Sequence, residues 1–484
     1  MDKGILKTSN SAGPCTGRLR AELWDKLHFI LGQTTDRMIR GEFWYEGLLE
    51  TDLLRQAIQH ITQAHPILHS AFRDKALRPY WEIMPYTIDD ILTVIDADAL
   101  TEQTEHELRI KAEEHGAEVE AESDRINRPA VGDVTDASDG AARLEQIRYD
   151  FMNQVIPVDH NVQYKVALIN HRGKSLLCVL ANHMVMDGRG GYSLFVQFAE
   201  AYSALKKGAP LPVIKAGSRA ASMIYSGMNL WQKPRAWLLL KNITRLKEKR
   251  TFAFEPESAE DRLQMVVYKW DQTDAAALKD VAKKKHVTVT DVLLSCYMHA
   301  LCQTCDFPQE RPFTITCMVD NRKYIKPGKT IGVTNHVGLL QLKMSGCQES
   351  IDKTLRTVHS ITKRKKNRGY IGLSGIPLIG LGYVLPFFIV KPGTRLWFTP
   401  PVLGFSNLGV IPHQPLAMGD VAIEDIMLMA PSQYKRHITI GIEMIHNTLV
   451  FTSAVRGSVK DKEKIQDLFA GMRECMRELA KSEM

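Results

Sequence analysis

The stretch "LLCVLANHMVMDGRGGYSLF" (176–195) sets an apolar run against Asn182-His183, with Asp187-Gly188 four residues on and two further glycines before a helical pattern. A neutral imidazole at the end of a rigid strand can take a proton from a hydroxyl or an amine, because its pKa lies near working pH. The apolar run fixes the backbone of His183, and the glycines leave room for a tight turn and a substrate. Asp187 has two readings. It could act as a second acid, but its spacing more naturally turns it away from His183 to hold the turn through an arginine.

Other chemistry is thinly represented. Cys302 and Cys305 form one CxxC with no second pair nearby to complete a four-ligand zinc site, so we read them as reduced thiols in a helical region and expect no metal. There is no phosphate-binding loop, no dinucleotide fingerprint, and no basic-aromatic interleaving suited to nucleic acid. His65, His69, His336 and His446 sit in apolar or strand contexts and read as structural histidines.

The elements around the motif follow from periodicity. "EFWYEGLL", "RPYWEIM", "QYKVALIN" and "KSLLCVLAN" read as strands, the last two joined by "HRGK". Segment 51–72 opens as a helix with Thr51 as N-cap, and "GYSLFVQFAEAYSALKKG" is a helix closing on Gly208. The second half contributes helices near 275–287 and 290–304 and the strand "FTITCMVDNRKY". The strand region "IGVTNHVGLLQLKM", a basic helix after residue 348, the strands "RLWFTPPVLGFSNLGVI", "VAIEDIMLMAP" and "HITIGIEMIHNTLVFTSAV", and a final amphipathic helix complete that lobe.

A length of 484 residues predicts two lobes. We divide the chain into an N-terminal lobe (1–205), a linker with a basic amphipathic helix (206–262) and a C-terminal lobe (263–484). Segment 97–145 is an acidic surface excursion, partly helical and partly disordered. Residues 101–145 carry a net charge of −8, which leaves +15 on the rest of a chain whose total is +7. That excess suits a polyanionic ligand, a nucleotide-bearing co-substrate or an anionic membrane, although a solvated basic face would look the same.

The sequence resembles the chloramphenicol-acetyltransferase-like superfamily, which includes condensation domains, alcohol acetyltransferases, polyketide-associated acyltransferases and wax ester synthase/diacylglycerol acyltransferases. The family motif His-His-x-x-x-Asp-Gly is met by Asn182-His183-Met184-Val185-Met186-Asp187-Gly188, with Asn182 in place of the first histidine. "VDNRKY" (319–324), "IGVTNHVG" (331–338) and "FSNLG" (405–409) resemble weaker family segments. The resemblance implies an α/β fold of two mixed-sheet lobes with a tunnel between them and His183 at its centre. It implies that His183 is the base, that Asp187 is structural with Arg322 as its charge partner, and that Asn321, Asn335, Ser406 and Asn407 line the tunnel. Asn182, Ser406 and Asn407 are candidate oxyanion donors.

The activity so implied is transfer of an acyl group from a thioester to the hydroxyl of a lipophilic small-molecule acceptor. The co-substrate would be acyl-CoA or an acyl-carrier thioester, with no bound cofactor. The alternatives are a condensation enzyme joining carrier-borne chains, with an acyl carrier protein as partner, and a catalytically silent member of the fold. The first 25 residues lack an apolar signal core, so we expect a cytoplasmic monomer. Peripheral membrane association is suggested by two segments. "RAWLLLKNITRLKEKR" (235–250) suits an interfacial helix, with Lys241, Arg245 and Lys249 toward headgroups. The uncharged run 370–390 is long enough to span, but its glycines and prolines favour a greasy surface patch near the tunnel.

Overall fold

In the computed structural model, the described residues are 17–482, apart from 100–135, 239–249, 306, 308–310, 368, 374–375 and 399. The first half runs β1 (Arg18–Arg20), α1 (Leu23–Leu31), β2 (Met38–Tyr45), α2 (Thr51–Ala64), β3 (Ser70–Arg73), β4 (Tyr80–Ile83), β5 (Leu92–Asp96), α3 (Asp136–Asn153), β6 (Tyr164–His171), β7 (Lys174–Asn182) and α4 (Gly188–Lys206). After α5 (Gln232–Leu238), the second half runs β8 (Arg262–Trp270), α6 (Gln272–Lys284), α7 (Val289–Thr304), β9 (Phe313–Asp320), β10 (Val337–Met344), α8 (Ile351–Asn367), α9 (Ile376–Val384), α10 (Phe387–Trp397), β11 (Leu403–Val410), β12 (Ile423–Met429), β13 (Ile438–Ile445), β14 (Thr448–Gly457) and α11 (Val459–Lys481).

Each half builds a mixed sheet. The first has the order β12-β2-β7-β6-β5, antiparallel except for β5 beside β6, and a small sheet β1-β4-β3 adjoins it. The second has the order β10-β9-β11-β13-β14-β8, with β11 parallel to both neighbours. Strand β7 is buried along nearly its whole length, so its run of apolar residues fits a central strand covered on both faces. Helix α4 packs against α2 over the first sheet, and α7, α8 and α11 pack together on the second. The fold is thus two mixed α/β lobes.

One strand departs from the expected division. Strand β12 follows β11 in sequence but crosses over to pair with β2, from Met429 opposite Arg40 to Ile423 opposite Tyr45. Without it β2 would present an open row of backbone donors and acceptors at the sheet edge. Side chains of the second sheet also grip β12. Leu428 donates its N–H to Glu443 Oε1 (2.8 Å), and Thr452 Oγ1 donates to the Leu428 carbonyl (2.9 Å). The two lobes are therefore stitched by a strand that bonds to both.

Three local readings change. Helix α2 has Glu50 as its N-cap and Thr51 as its first helical residue. Cys302 is not a reduced thiol: it forms a disulfide with Cys347, with Cα atoms 5.9 Å apart, a pairing across 45 positions that local spacing cannot reveal. The uncharged run 370–390 is not one element. Pro386 sits in extended conformation (φ −57°, ψ 143°) and separates α9 from α10, as a residue that cannot continue a helical hydrogen-bond ladder should. Among the described residues no helix is long and apolar enough to cross a membrane. The acidic excursion falls largely outside the described residues, and its end forms the start of α3. Of the basic linker helix, Gln232–Leu238 is described, whereas Lys241, Arg245 and Lys249 lie outside the described residues.

Candidate active site

His183 stands one residue beyond β7, whose last residue, Asn182, pairs with Met38 of β2. Its backbone is held from both sides. The His183 N–H donates to the Arg37 carbonyl (2.7 Å), and Asn335 Nδ2 donates to the His183 carbonyl (2.9 Å). Arg37 adopts φ 65°, an uncommon conformation for a side-chain-bearing residue, and it aims this carbonyl. Met184, Val185 and Met186 are buried in the first-lobe core, which explains why the three residues between His183 and Asp187 are apolar. They anchor the loop as a rigid turn.

The ring of His183 is oriented by its own loop. Nδ1 lies 2.8 Å from the Met186 carbonyl. A carbonyl only accepts, so Nδ1 carries the proton and the lone pair resides on Nε2. Burial holds the imidazole below its ordinary pKa, against the opposing pull of Asp187. It is therefore neutral near pH 7 and equipped to accept a proton at Nε2.

Asp187 faces away from this chemistry. It caps α4, accepting from Gly190 N–H through Oδ1 (2.7 Å). Its other oxygen, Oδ2, accepts from Arg322 Nη1 (2.9 Å) and from the backbone N–H of His336 (2.8 Å). Arg322 also donates to the Thr334 carbonyl (3.1 Å) and to Asp320 (3.2 Å). Burial alone would raise the Asp187 carboxyl, but the Arg322 charge and these donors bring it below the usual carboxylate value. A Cβ on Gly190 would meet the Thr334 carbonyl at 3.1 Å and Asp187 Oδ1 at 3.3 Å, so the close approach of the two lobes favours glycine there.

A cavity of about 510 Å³ opens around His183 between the lobes. Asp187, Gly188, Arg322, Ser406 and Asn407 line it. Asn321 and Asn335, expected at the tunnel, and Asn182, an expected oxyanion donor, are instead buried structural groups. Asn182 Nδ2 donates to Gln163 Oε1 (3.0 Å) while its Oδ1 accepts from Met184 N–H (3.0 Å). Asn321 Nδ2 donates to the Gly372 carbonyl (3.2 Å), and Asn335 braces the His183 loop. Of the three oxyanion candidates only Ser406 and Asn407 reach the wall, and Asn407 Nδ2 is engaged with Thr290 (3.2 Å).

Two features of the cavity were not legible in sequence. One is His28 of α1, whose ring stacks on that of His183 with centroids 4.2 Å apart and planes 25° from parallel. The other is an apolar stretch of wall from β2, β7 and α4, made by Ile39, Gly41, Phe43, Val179, Leu194 and Phe195. Ile39, Gly41 and Phe43 alternate along β2 and face one side, and the Phe43 and Phe195 rings stack 4.1 Å apart.

Solved structures share this architecture. The first condensation domain of the calcium-dependent antibiotic synthetase, in complex with a substrate analogue, superposes with a TM-score of 0.63 at 16% identity, covering 96% of each chain. The starter condensation domain of rhizomide synthetase, solved with C8-CoA and Leu-SNAC, gives 0.60 at 13% identity over 96% of this chain and 94% of its own. Polyketide synthase associated protein 5 from Mycobacterium tuberculosis gives 0.59 at 13%, over 95% and 98%. No curated protein matches the sequence. The condensation-domain family model matches residues 38–340, a span that begins with β2, passes through His183 and Asp187, and ends in β10 beyond Arg322. The chain, with its histidine between two stitched lobes, belongs to the condensation-domain family of acyl-transferring proteins.

Proposed function

We propose that this protein transfers an acyl group from a pantetheine-type thioester to an acceptor hydroxyl, with His183 as general base. The observation that carries the reading is the Nδ1 bond from His183 to the Met186 carbonyl, which leaves Nε2 as the proton acceptor of a histidine that lines the cavity. In this reading, Nε2 removes the acceptor proton as the oxygen attacks the thioester carbonyl. The tetrahedral intermediate collapses, the C–S bond breaks, and the thiolate leaves with the proton returned from the imidazolium. No acyl-enzyme is required. Asp187 and Arg322 keep the two lobes in register around the histidine and do not touch the reacting atoms.

The apolar wall supports a lipophilic acyl chain. From Ile39 to Phe43 it follows β2 for roughly 13 Å at about 3.3 Å per residue. Ser406 is the wall hydroxyl we assign to the developing oxyanion. The family match also favours a second reading, in which the acceptor is an amine and the product an amide, with the donor borne by an acyl carrier protein. A thiol-release assay tests both. The purified protein is supplied with acetyl-, octanoyl- and palmitoyl-CoA and with phosphopantetheinylated carrier donors, each against alcohol and amine acceptors. Acceptor-dependent thiol release with alcohols supports the first reading and with amines the second. No release with any pair removes both.

A further inference from the structure

We infer that the α9–α10 hairpin is a docking surface for an anionic lipid membrane, joined to the cavity wall through α1. Helix α10 is apolar on two faces. Phe387 is buried and points inward, while Phe388, Ile389 and Leu396 are 56%, 46% and 71% exposed on the outward face. Positions 388, 389, 392 and 396 fall on one stripe of a helix. Val384 and Leu385, at the bend before Pro386, are 78% and 40% exposed. The loop between β3 and β4 continues the same surface. Its Ala76 and Leu77 carbonyls accept from Phe388 and Phe387 N–H, and Leu77 is 65% exposed. Contiguous apolar surface of this kind marks an interaction site.

The charge around it selects the partner. Lys75, Arg78 and Arg395 are exposed at the margin, and Lys391 pairs with Asp74. Residues 369–419 contain no Asp or Glu, and their two basic residues are Lys391 and Arg395. A second copy of the chain meeting this face symmetrically would bring like charges together, whereas anionic headgroups complement the cations and the bilayer accepts the apolar side chains. The hairpin is also joined to the cavity. It packs on α1, where Phe29 lies 6.2 Å from Phe387 and beneath Lys391 Nζ (4.9 Å), and the same helix carries His28 and Leu31 into the cavity wall. The chain leaving α10 reaches Pro400 and Pro401, which also line it.

The test is co-sedimentation of the full-length protein with phosphatidylcholine vesicles, with and without phosphatidylglycerol, at low and high salt. Size-exclusion chromatography with light scattering runs in parallel. Binding should require phosphatidylglycerol and weaken at high salt. The Lys75→Gln/Arg78→Gln/Arg395→Gln variant should lose roughly fivefold in partitioning for each cation removed. The Phe388→Ser/Ile389→Ser variant, altered only at exposed positions, should stay in the supernatant with unchanged melting. Wild-type protein that ignores vesicles of both compositions overturns the proposal. So does a serine variant that binds as well as wild type, or a concentration-dependent dimer abolished by the serine variant in the absence of vesicle binding. None of these readouts depends on acyl transfer, so the result stands apart from the proposed activity.

Discussion

The rings of His28 and His183 lie stacked, with centroids 4.2 Å apart, so the proposed base has another imidazole as one wall. Burial first, and the neighbouring His183 second, hold His28 well below the ordinary histidine value. It is neutral and covers one face of the His183 ring.

A dry base stays neutral to lower pH, so the acid limb of the activity profile reports the stack. His28→Ala should hydrate His183, raise its pKa toward the ordinary value and move the acid limb of kcat upward in pH. His28→Phe, which keeps a ring in place, should leave the limb near its wild-type position. Coincident limbs for wild type and His28→Ala would remove the shielding role.

The Asp187–Arg322 pair should show itself in stability as well as activity. Asp187→Asn leaves a largely buried guanidinium with only the half-exposed Asp320 as charge partner, a loss that should approach the roughly 3–5 kcal/mol typical of a broken buried pair without exceeding it. The Asp187 carboxyl is held below its unfolded value, so its stabilisation is present above the ordinary carboxylate range and is lost as pH falls through the folded value. Thermal melting against pH should therefore fall in acid for wild type and flatten in the variant.

Glu443 makes the opposite prediction. Burial pushes its carboxyl up to about 8, and it accepts from Leu428 at the seam between the lobes. A raised acid binds its proton in the folded state first. Its stabilisation is full below the ordinary glutamate value near 4.5 and is lost as pH rises through about 8. Glu443→Gln should melt with less loss between pH 5 and pH 9 than wild type. Equal slopes would show that Glu443 is not protonated in the fold.

Gly41 lies on the apolar wall of the cavity. A Cβ there would lie 3.0 Å from the Phe43 ring and 3.4 Å from Leu428. Gly41→Leu should shorten the preferred acyl chain, with about 0.8 kcal/mol of donor binding lost for each methylene excluded. Acetyl transfer should survive. A chain-length profile measured by thiol release checks this, and an unchanged profile would place the chain elsewhere.

Much of this arrangement can be read from residues 176–195. A long apolar run ending in a histidine, with a glycine-rich turn and a helix beyond, specifies a buried strand and a positioned base. The Asp187–Arg322 pair was nameable only through the family resemblance, because 135 positions separate the partners. His28 was invisible for a related reason: nothing local to α1 signals that its ring meets a residue 155 positions away. The crossover of β12 escaped because alternation in "VAIEDIMLMAP" predicts a strand but not which sheet receives it. Asn182 and Asn335 look like site residues by adjacency, yet the Asn182 amide is consumed by Gln163 and Met184 N–H and the Asn335 Nδ2 by the His183 carbonyl. That is a matter of hydrogen-bond accounting, which needs coordinates.

The central claim rests on His183 as the base and is tested most directly by His183→Ala in the thiol-release assay with the best wild-type donor and acceptor. The account predicts a loss of 10²–10⁴-fold in kcat with melting and secondary structure unchanged. Turnover within a few-fold of wild type, in a variant shown to be folded, would contradict it.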